Sequence, residues 1–209
     1  MKSVTRLFTL SALLFSLPLL ARPMVEIRTN RGVMVAELYS DKAPKTVRNF
    51  LQYVGDGFYS QTTFHRVIPG FMIQGGGLTA SMEPKATRAP IASESNNGLK
   101  NQFGTLAMAR THDPDSATSQ FFINLSDNKH LNYYKPTPDY MGYTVFGKLV
   151  KGEDVAEALS KQTTQTIGDF TDVPVEAITI EAIVRLPDSP DAPVASKPTS
   201  KKPVRKRSK

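Results

Sequence analysis

Residues Phe64 to Gly77 read FHRVIPGFMIQGGG, two short extended runs joined by Pro69-Gly70. Proline presets the first central position of a turn, and glycine accepts the positive φ that a type II turn needs at the second. Because side chains alternate along a strand, Met72 and Gln74 should share one face while Ile73 lies on the other. The stretch therefore predicts a hairpin with two chemically different faces.

Arg66 lies just before this turn, and Asp56 is the one acidic residue among the twenty positions that precede it. A guanidinium and an amide beside Phe71 and Met72 would form a surface that is apolar enough to hold a ring. The same surface would carry donors for one carbonyl or one nitrogen. An ordinary hairpin with an exposed arginine and two core residues explains the spacing equally well, so spacing alone leaves both interpretations open.

The remaining segments favour a β-rich domain. Extended runs at 24–28 and 33–38 flank turn residues, and further strands are predicted at 105–109, 120–125, 143–150 and 175–186. Apolar residues at helical spacing predict one helix opened by Pro44 and a second, shorter one around 155–159. Many short strands, two helices and no regular strand–helix alternation favour a closed antiparallel barrel.

The N-terminal segment has the pattern of a secretory signal peptide. Residues 1–21 contain Lys2 and Arg6, then an apolar run from Leu7 to Leu20, and end at Ala21. The run is short for a bilayer span, so an uncleaved membrane anchor is the weaker alternative. The sequence contains no cysteine, which is compatible with an oxidising compartment but does not establish one.

The C-terminal segment, residues 187–209, predicts a disordered basic tail. It is rich in proline, serine and lysine, and six of its last nine residues are basic. The two end segments account for the whole formal net charge of +7, because residues 22–186 carry 17 basic and 17 acidic side chains. The central domain therefore offers no electrostatic case for specific nucleic-acid binding. The tail is a candidate for contact with anionic surfaces, and an incidental solubilising tail is the alternative.

Five blocks resemble, in order, the cyclophilin-type peptidyl-prolyl cis–trans isomerases. They are residues 37–50, 64–77, 104–110, 119–123 and 143–148, and the likeness extends over about residues 24–185. The resemblance implies a closed eight-stranded antiparallel β-barrel capped by two α-helices, and an isomerase that needs no cofactor. Tyr143 and the short link from Gly55 to Thr63 are most similar to the periplasmic cyclophilins of Gram-negative bacteria. A periplasmic location is therefore expected for the domain at 22–186, with secretion as the alternative.

The resemblance also implies roles for individual residues. Arg66 would be catalytic, and Gln74 would orient it and meet the substrate backbone. The residues expected to line a proline pocket are Phe71, Met72, Phe122 and Leu131. Ala109 would offer backbone contacts to the residue before proline, and Gln120 would lie at the rim.

Three positions beside this pocket depart from the eukaryotic pattern. His130 replaces a tryptophan, Tyr143 a histidine and Arg110 an asparagine. Tyr143 still offers a ring and a hydroxyl, so isomerase activity should survive. The missing tryptophan predicts weak cyclosporin binding.

The expected partners are proline-containing polypeptides, bound by a monomer. A different class, a module that grips proline segments and turns them over only incidentally, remains open. No metal is expected, since His65, His112 and His130 lack the spacing of a zinc site. Asp113-Pro114-Asp115 lacks the glycine and the closing glutamate of a calcium loop.

Overall fold

The computed structural model describes residues 22–187, so the predicted signal peptide at 1–21 and the tail beyond Pro187 lie outside the described residues. Eight of its strands are β1 Met24–Thr29, β2 Gly32–Leu38, β3 Thr62–Ile68, β4 Met72–Gly75, β5 Thr105–Met108, β6 Phe121–Asn124, β7 Val145–Lys151 and β10 Thr179–Arg185. They form a closed antiparallel barrel in the order β1-β10-β3-β4-β6-β5-β7-β2. This architecture confirms the predicted fold.

The hairpin β3–β4 has the predicted turn. Gly70 has a φ of +67°, and the Phe71 N–H donates to the Ile68 carbonyl at 3.1 Å. Glycine suits this position because other residues are strained at positive φ. Ile73 is completely buried inside the barrel, whereas Met72 belongs to a second apolar cluster outside it. The predicted division between the two faces is therefore confirmed.

Helix α1, Pro44–Gly55, receives its N-terminal cap from a distant loop. Its own N-cap residue, Ala43, has no side chain that can accept a hydrogen bond. Instead, the Glu94 carboxylate accepts bonds from the backbone N–H groups of Lys45 and Thr46 at 3.0 and 2.9 Å. A carboxylate here satisfies helix donors and complements the helix dipole. Glu94 therefore fixes the long 76–104 segment against the helix.

The apolar face of α1 closes the main core. The Phe50 ring lies 5.2 Å from the Tyr59 ring and 5.1 Å from the Phe146 ring, and it meets the Phe121 ring edge-on at 5.5 Å. Helix α2, Glu153–Ser160, buries Ala156 and Leu159 against the same core. Within the described residues, no helix is long and apolar enough to cross a bilayer.

A further hairpin escaped the prediction from sequence. It consists of β8, Thr164–Ile167, and β9, Phe170–Pro174, and it forms a separate two-stranded sheet. Every residue of β8 is exposed, so the strand carries no buried face that a sequence pattern could reveal. Val173 and Pro174 of β9 are buried, and with Phe64 and His65 of β3 they line a small cavity of about 80 Å³. The hairpin is therefore anchored beside Arg66.

Candidate active site

The site lies on the outer face of the barrel and follows from strand alternation. On β4, β5 and β6, residues such as Ile73, Leu106 and Ile123 point into the main core. Their neighbours point outward and, with one residue of β7, form a second cluster of Met72, Ala107, Phe122 and Val145. Loop residues pack over this outer cluster, which leaves a hollow between strands and loops.

This hollow is a pocket of about 150 Å³ that joins a cation to an apolar wall. Its lining residues are Arg66, Phe71, Met72, Gln74, Ala109, Arg110, Phe122, Leu131 and Tyr143. The other two residues singled out from sequence lie at its margin: Gln120 is bonded to Gln74, and the His130 ring stacks on the Phe71 ring at 5.6 Å. The structure thus brings all eleven together, and their individual roles stay predictions.

Arg66 forms an ion pair that the sequence did not indicate. Its Nε lies 3.5 Å from Oδ2 of Asp172, with the two side chains 41% and 38% exposed. The partner comes from the β8–β9 hairpin, more than one hundred positions along the chain. The structure therefore places beside Arg66 an acid that no local pattern could reveal.

The Gln74 side chain is hydrogen-bonded to the side chain of Gln120. Its amide nitrogen donates to Oε1 of Gln120 at 3.0 Å, and its register partner on β3 is Arg66. The bond fixes the Gln74 amide beside the guanidinium. The role of Gln74 in orienting Arg66 stays a prediction, because the ion pair of Arg66 is with Asp172 and the hydrogen bond of the Gln74 amide is with Gln120.

Arg110 ties together the loops that form one side of the pocket. Its guanidinium donates to the carbonyls of Gly142 at 2.9 Å, Thr111 at 2.8 Å, His112 at 3.1 Å and Pro138 at 3.2 Å. It also lies over the Tyr143 ring at 4.8 Å. Four of its five N–H groups are thus used, and one on Nη2 remains. Arg110, which the sequence analysis identified as a departure from the eukaryotic pattern, thus fixes the loops around Tyr143.

Two other backbone features shape the rim. The Ala109 N–H donates to the Gln120 carbonyl at 3.0 Å, so the Ala109 carbonyl is the backbone group left for a bound chain. Gly142 has a φ of +67°, and a Cβ at this position would lie 2.5 to 2.6 Å from the backbone of residues 131–133. Only glycine lets the chain cross so closely before Tyr143, whose ring meets that of Phe122 edge-on at 5.5 Å.

A buried asparagine network supports the pocket from below, and sequence analysis missed it. Asn124 donates to Oδ1 of Asn101 at 3.2 Å and accepts from Asn128 at 2.7 Å. Asn128 also donates to the Phe71 carbonyl at 2.9 Å, and Asn101 donates to the Leu131 carbonyl at 2.9 Å. The network therefore fixes two pocket walls through their backbone. The only indication of this network in the sequence was Asn124, a polar residue at the end of an apolar strand.

His65, adjacent to Arg66, is buried behind the pocket and is only 6% exposed. Within the described residues, its Nδ1 has no hydrogen-bond partner. Burial lowers the pKa of His65 from 6.5 to about 4; a hydrogen bond with the Thr63 backbone opposes the shift, and the Arg66 charge adds to it. The imidazole is therefore neutral in the folded protein at neutral pH.

This buried histidine predicts a loss of stability in acid. The unfolded chain takes up a proton on His65 below about pH 6.5, whereas the folded chain resists protonation until about pH 4, so stability falls as the pH drops through this interval. At 1.36 kcal/mol per pKa unit, the loss between pH 7 and pH 5 should be about 2 kcal/mol. Urea unfolding at both pH values measures it. A His65→Gln variant should lose about that much less between the two values, and equal losses would contradict the prediction.

Within residues 22–187, no group of three or more histidine, aspartate or glutamate side chains lies close enough together to hold a metal ion. His112 pairs instead with Asp139 at 3.1 Å, on the exposed surface of the loops.

Comparison with known proteins identifies the family. The family model for cyclophilin-type peptidyl-prolyl cis-trans isomerases matches residues 24–185. The chain belongs to this cyclophilin family. It is 51% identical over 174 residues to a peptidyl-prolyl cis-trans isomerase of Acinetobacter baylyi, covering 83% of this chain and 91% of the relative. It is 52% identical over 160 residues to peptidyl-prolyl cis-trans isomerase B of Escherichia coli, covering 77% and 98%. This cyclophilin is therefore a peptidyl-prolyl cis–trans isomerase, as predicted.

Solved structures agree with the fold of this cyclophilin. A crystal structure of a cyclophilin-type isomerase from Cryptosporidium parvum matches with a TM-score of 0.66 at 30% identity, covering 79% of this chain and 98% of the other. A second structure of that protein, solved in the presence of the dipeptide Ala-Pro, matches with a TM-score of 0.65 at 30% identity, covering 78% and 99%. The barrel and its two helices are thus those of the family.

Proposed function

We propose that Arg66 is the catalytic residue of this cyclophilin and that it acts on X–Pro bonds of polypeptides held in the outer-face pocket. The observation that carries the proposal is the meeting of one guanidinium with an apolar wall of Met72 and Phe122 in a single pocket. The apolar wall can pack against a proline ring, and the guanidinium can donate a hydrogen bond to the nitrogen of that ring.

The chemistry of the bond determines what the pocket must do. Rotation about an X–Pro bond breaks amide resonance, and its barrier is about 18–20 kcal/mol. At the twisted transition state the imide nitrogen becomes pyramidal and basic, so a hydrogen bond to its lone pair lowers the barrier. Acceleration to about 10³ per second requires roughly 6 kcal/mol of differential binding. The reaction itself needs no nucleophile and no net proton transfer.

Each pocket residue has a distinct part in this proposal. The ring of proline packs on Phe71, Met72, Phe122 and Leu131. The Arg66 guanidinium donates to the imide nitrogen, because it cannot lose its proton and presents several N–H groups in a rigid fork. Gln74, held by Gln120, and the Ala109 carbonyl meet the backbone on either side of the twisted bond. Fixed donors of this kind lower the transition-state energy without reorganising.

The substrate class is unfolded or newly exported polypeptide, in which X–Pro exchange limits folding. The structure of the Cryptosporidium relative that was solved in the presence of the dipeptide Ala-Pro supports a proline-containing ligand. The pattern of residues 1–21 supports export to the periplasm, with secretion as the alternative, and the isomerase domain would be residues 22–186. The protein would act as a monomer, and its basic tail would contact anionic surfaces.

The experiment is a comparison of the parent protein with Arg66→Ala by NMR exchange on a short Ala–Pro peptide. Loss of exchange with retained peptide binding supports catalysis by Arg66. If the protein were only a proline-binding module, exchange should be equally slow in both proteins, because binding alone needs no cation at the imide nitrogen.

Cyclosporin should inhibit this cyclophilin only weakly. His130 stacks on Phe71 at the pocket margin, where the eukaryotic pattern has a tryptophan, and an imidazole offers less apolar area to a large cyclic peptide. Inhibition of Ala–Pro exchange by increasing cyclosporin measures the affinity. Potency in the nanomolar range would contradict the expectation.

A further inference from the structure

We propose that Asp172 is a positioning residue for Arg66. Its carboxylate holds the guanidinium by the Nε edge and so keeps the two terminal nitrogens available to the pocket. The inference rests on the proposed role of Arg66 and adds the β8–β9 hairpin to the parts of the protein on which turnover depends.

The geometry of the pair suits this role. Oδ2 of Asp172 lies 3.5 Å from Nε of Arg66, on the side of the fork nearest the stem. A guanidinium is planar and carries five N–H groups, so a partner at Nε leaves four of them, on Nη1 and Nη2, for a substrate. Without a partner, the long and 41% exposed arginine side chain would sample many rotamers. The carboxylate reduces that sampling without occupying the terminal nitrogens.

The carboxylate has a second partner, and its strand packs against the strand of Arg66. The Thr171 hydroxyl donates to Oδ2 of Asp172 at 3.2 Å. The next two residues, Val173 and Pro174, are buried against β3, the strand that carries Arg66. Both partners therefore belong to elements that pack on each other, which keeps the carboxylate within reach of the guanidinium.

Stability does not explain the arrangement. Asp172 has a φ of +59°, in the left-handed region that non-glycine residues seldom adopt. Aspartate adopts this conformation more readily than most residues but less readily than glycine, and an ion pair between half-exposed partners stabilises the fold only slightly. An uncommon backbone conformation that places an acid beside a single arginine of the pocket is explained by what the acid does to that arginine.

The main test is the variant Asp172→Asn. Asparagine has the same shape, tolerates the left-handed conformation and lacks the charge. We expect kcat for an Ala–Pro peptide to fall about 3- to 10-fold with KM within about 2-fold, because an interaction that orients the donor acts on the transition state. Asp169→Asn removes the same charge from the exposed turn of the hairpin and should leave kcat unchanged.

A second variant guards against a folding defect. Asp172→Gly accepts a φ of +59° without strain, removes the carboxylate and should lower kcat as much as Asp172→Asn does. NMR adds a readout that turnover does not give. The Nε–H resonance of Arg66 should be sharp in the parent protein and broadened in both variants. Unchanged kcat, or an unchanged Nε–H resonance, would overturn the proposal.

A double-mutant cycle separates this inference from the role of Arg66. If Asp172 acts through Arg66, adding Asp172→Asn to Arg66→Ala should cause no further loss. The same fold-loss in that background would overturn the positioning role. If Arg66→Ala loses turnover and Asp172→Asn does not, only the inference about Asp172 fails. If Arg66→Ala keeps the parent turnover, the proposed function fails, and the inference fails with it.

Discussion

The Arg66→Ala variant is expected to lose about 10²- to 10³-fold in kcat/KM for an Ala–Pro peptide, the usual cost of removing one fixed donor to a transition state. The Arg66 side chain is 41% exposed, and its ion pair with Asp172 is also partly exposed. Removing the side chain should therefore barely change the free energy of unfolding. The apolar wall stays intact, and peptide affinity should stay within about 3-fold. Exchange NMR measures turnover, and a peptide titration measures affinity.

Two further variants sharpen the Arg66 test. Arg48→Ala removes another arginine, on the exposed face of α1, and should behave like the parent protein. Arg66→Lys keeps the charge and loses the planar fork, so its turnover should lie between the parent and the alanine variant. An Arg66→Ala protein that exchanges the peptide as fast as the parent would refute the mechanism.

The Phe50→Ala variant is expected to lose about 3–5 kcal/mol of unfolding free energy, as large-to-small changes of buried aromatic residues do. Phe50 is completely buried, and its ring contacts three other aromatic rings that belong to the barrel or its approach. The change would leave a cavity at the seam between α1 and the barrel. Urea unfolding monitored by circular dichroism measures the loss.

A matched control for Phe50 is available within the same chain. Phe170→Ala removes the same ring from β9, where it is 40% exposed, and should cost less than about 1 kcal/mol. Equal losses for the two variants would mean that the aromatic cluster does not anchor the helix.

Local patterns were sufficient to predict the barrel and the hairpin that carries Arg66 and Gln74. The Pro69-Gly70 turn and the alternation of β4 predicted the two faces, and the apolar spacing of α1 predicted its buried side. Those features depend on neighbours in the sequence, so a reading of the sequence can find them. Family resemblance then supplied the distant pocket residues, such as Leu131 and Tyr143, which spacing alone could not have joined to Arg66.

What could not be predicted depends on contacts between distant segments. Glu94 caps a helix that begins fifty positions earlier, and Asp172 reaches Arg66 from a hairpin whose first strand is wholly exposed. The asparagines of the buried network look like ordinary loop residues until the fold brings them together. Each of these polar side chains bonds to a partner that only the tertiary structure brings close. No periodicity in the sequence identifies such a side chain.

Closure of the barrel has a consequence for the proposed action on unfolded chains. Each of the eight barrel strands is hydrogen-bonded to a neighbour on both sides, so the barrel offers no free row of backbone donors and acceptors to a passing extended segment. A client chain can then engage the barrel through a proline and leave again without adding a strand to it. An open sheet of the same eight strands would instead present edges on which an unfolded client could aggregate.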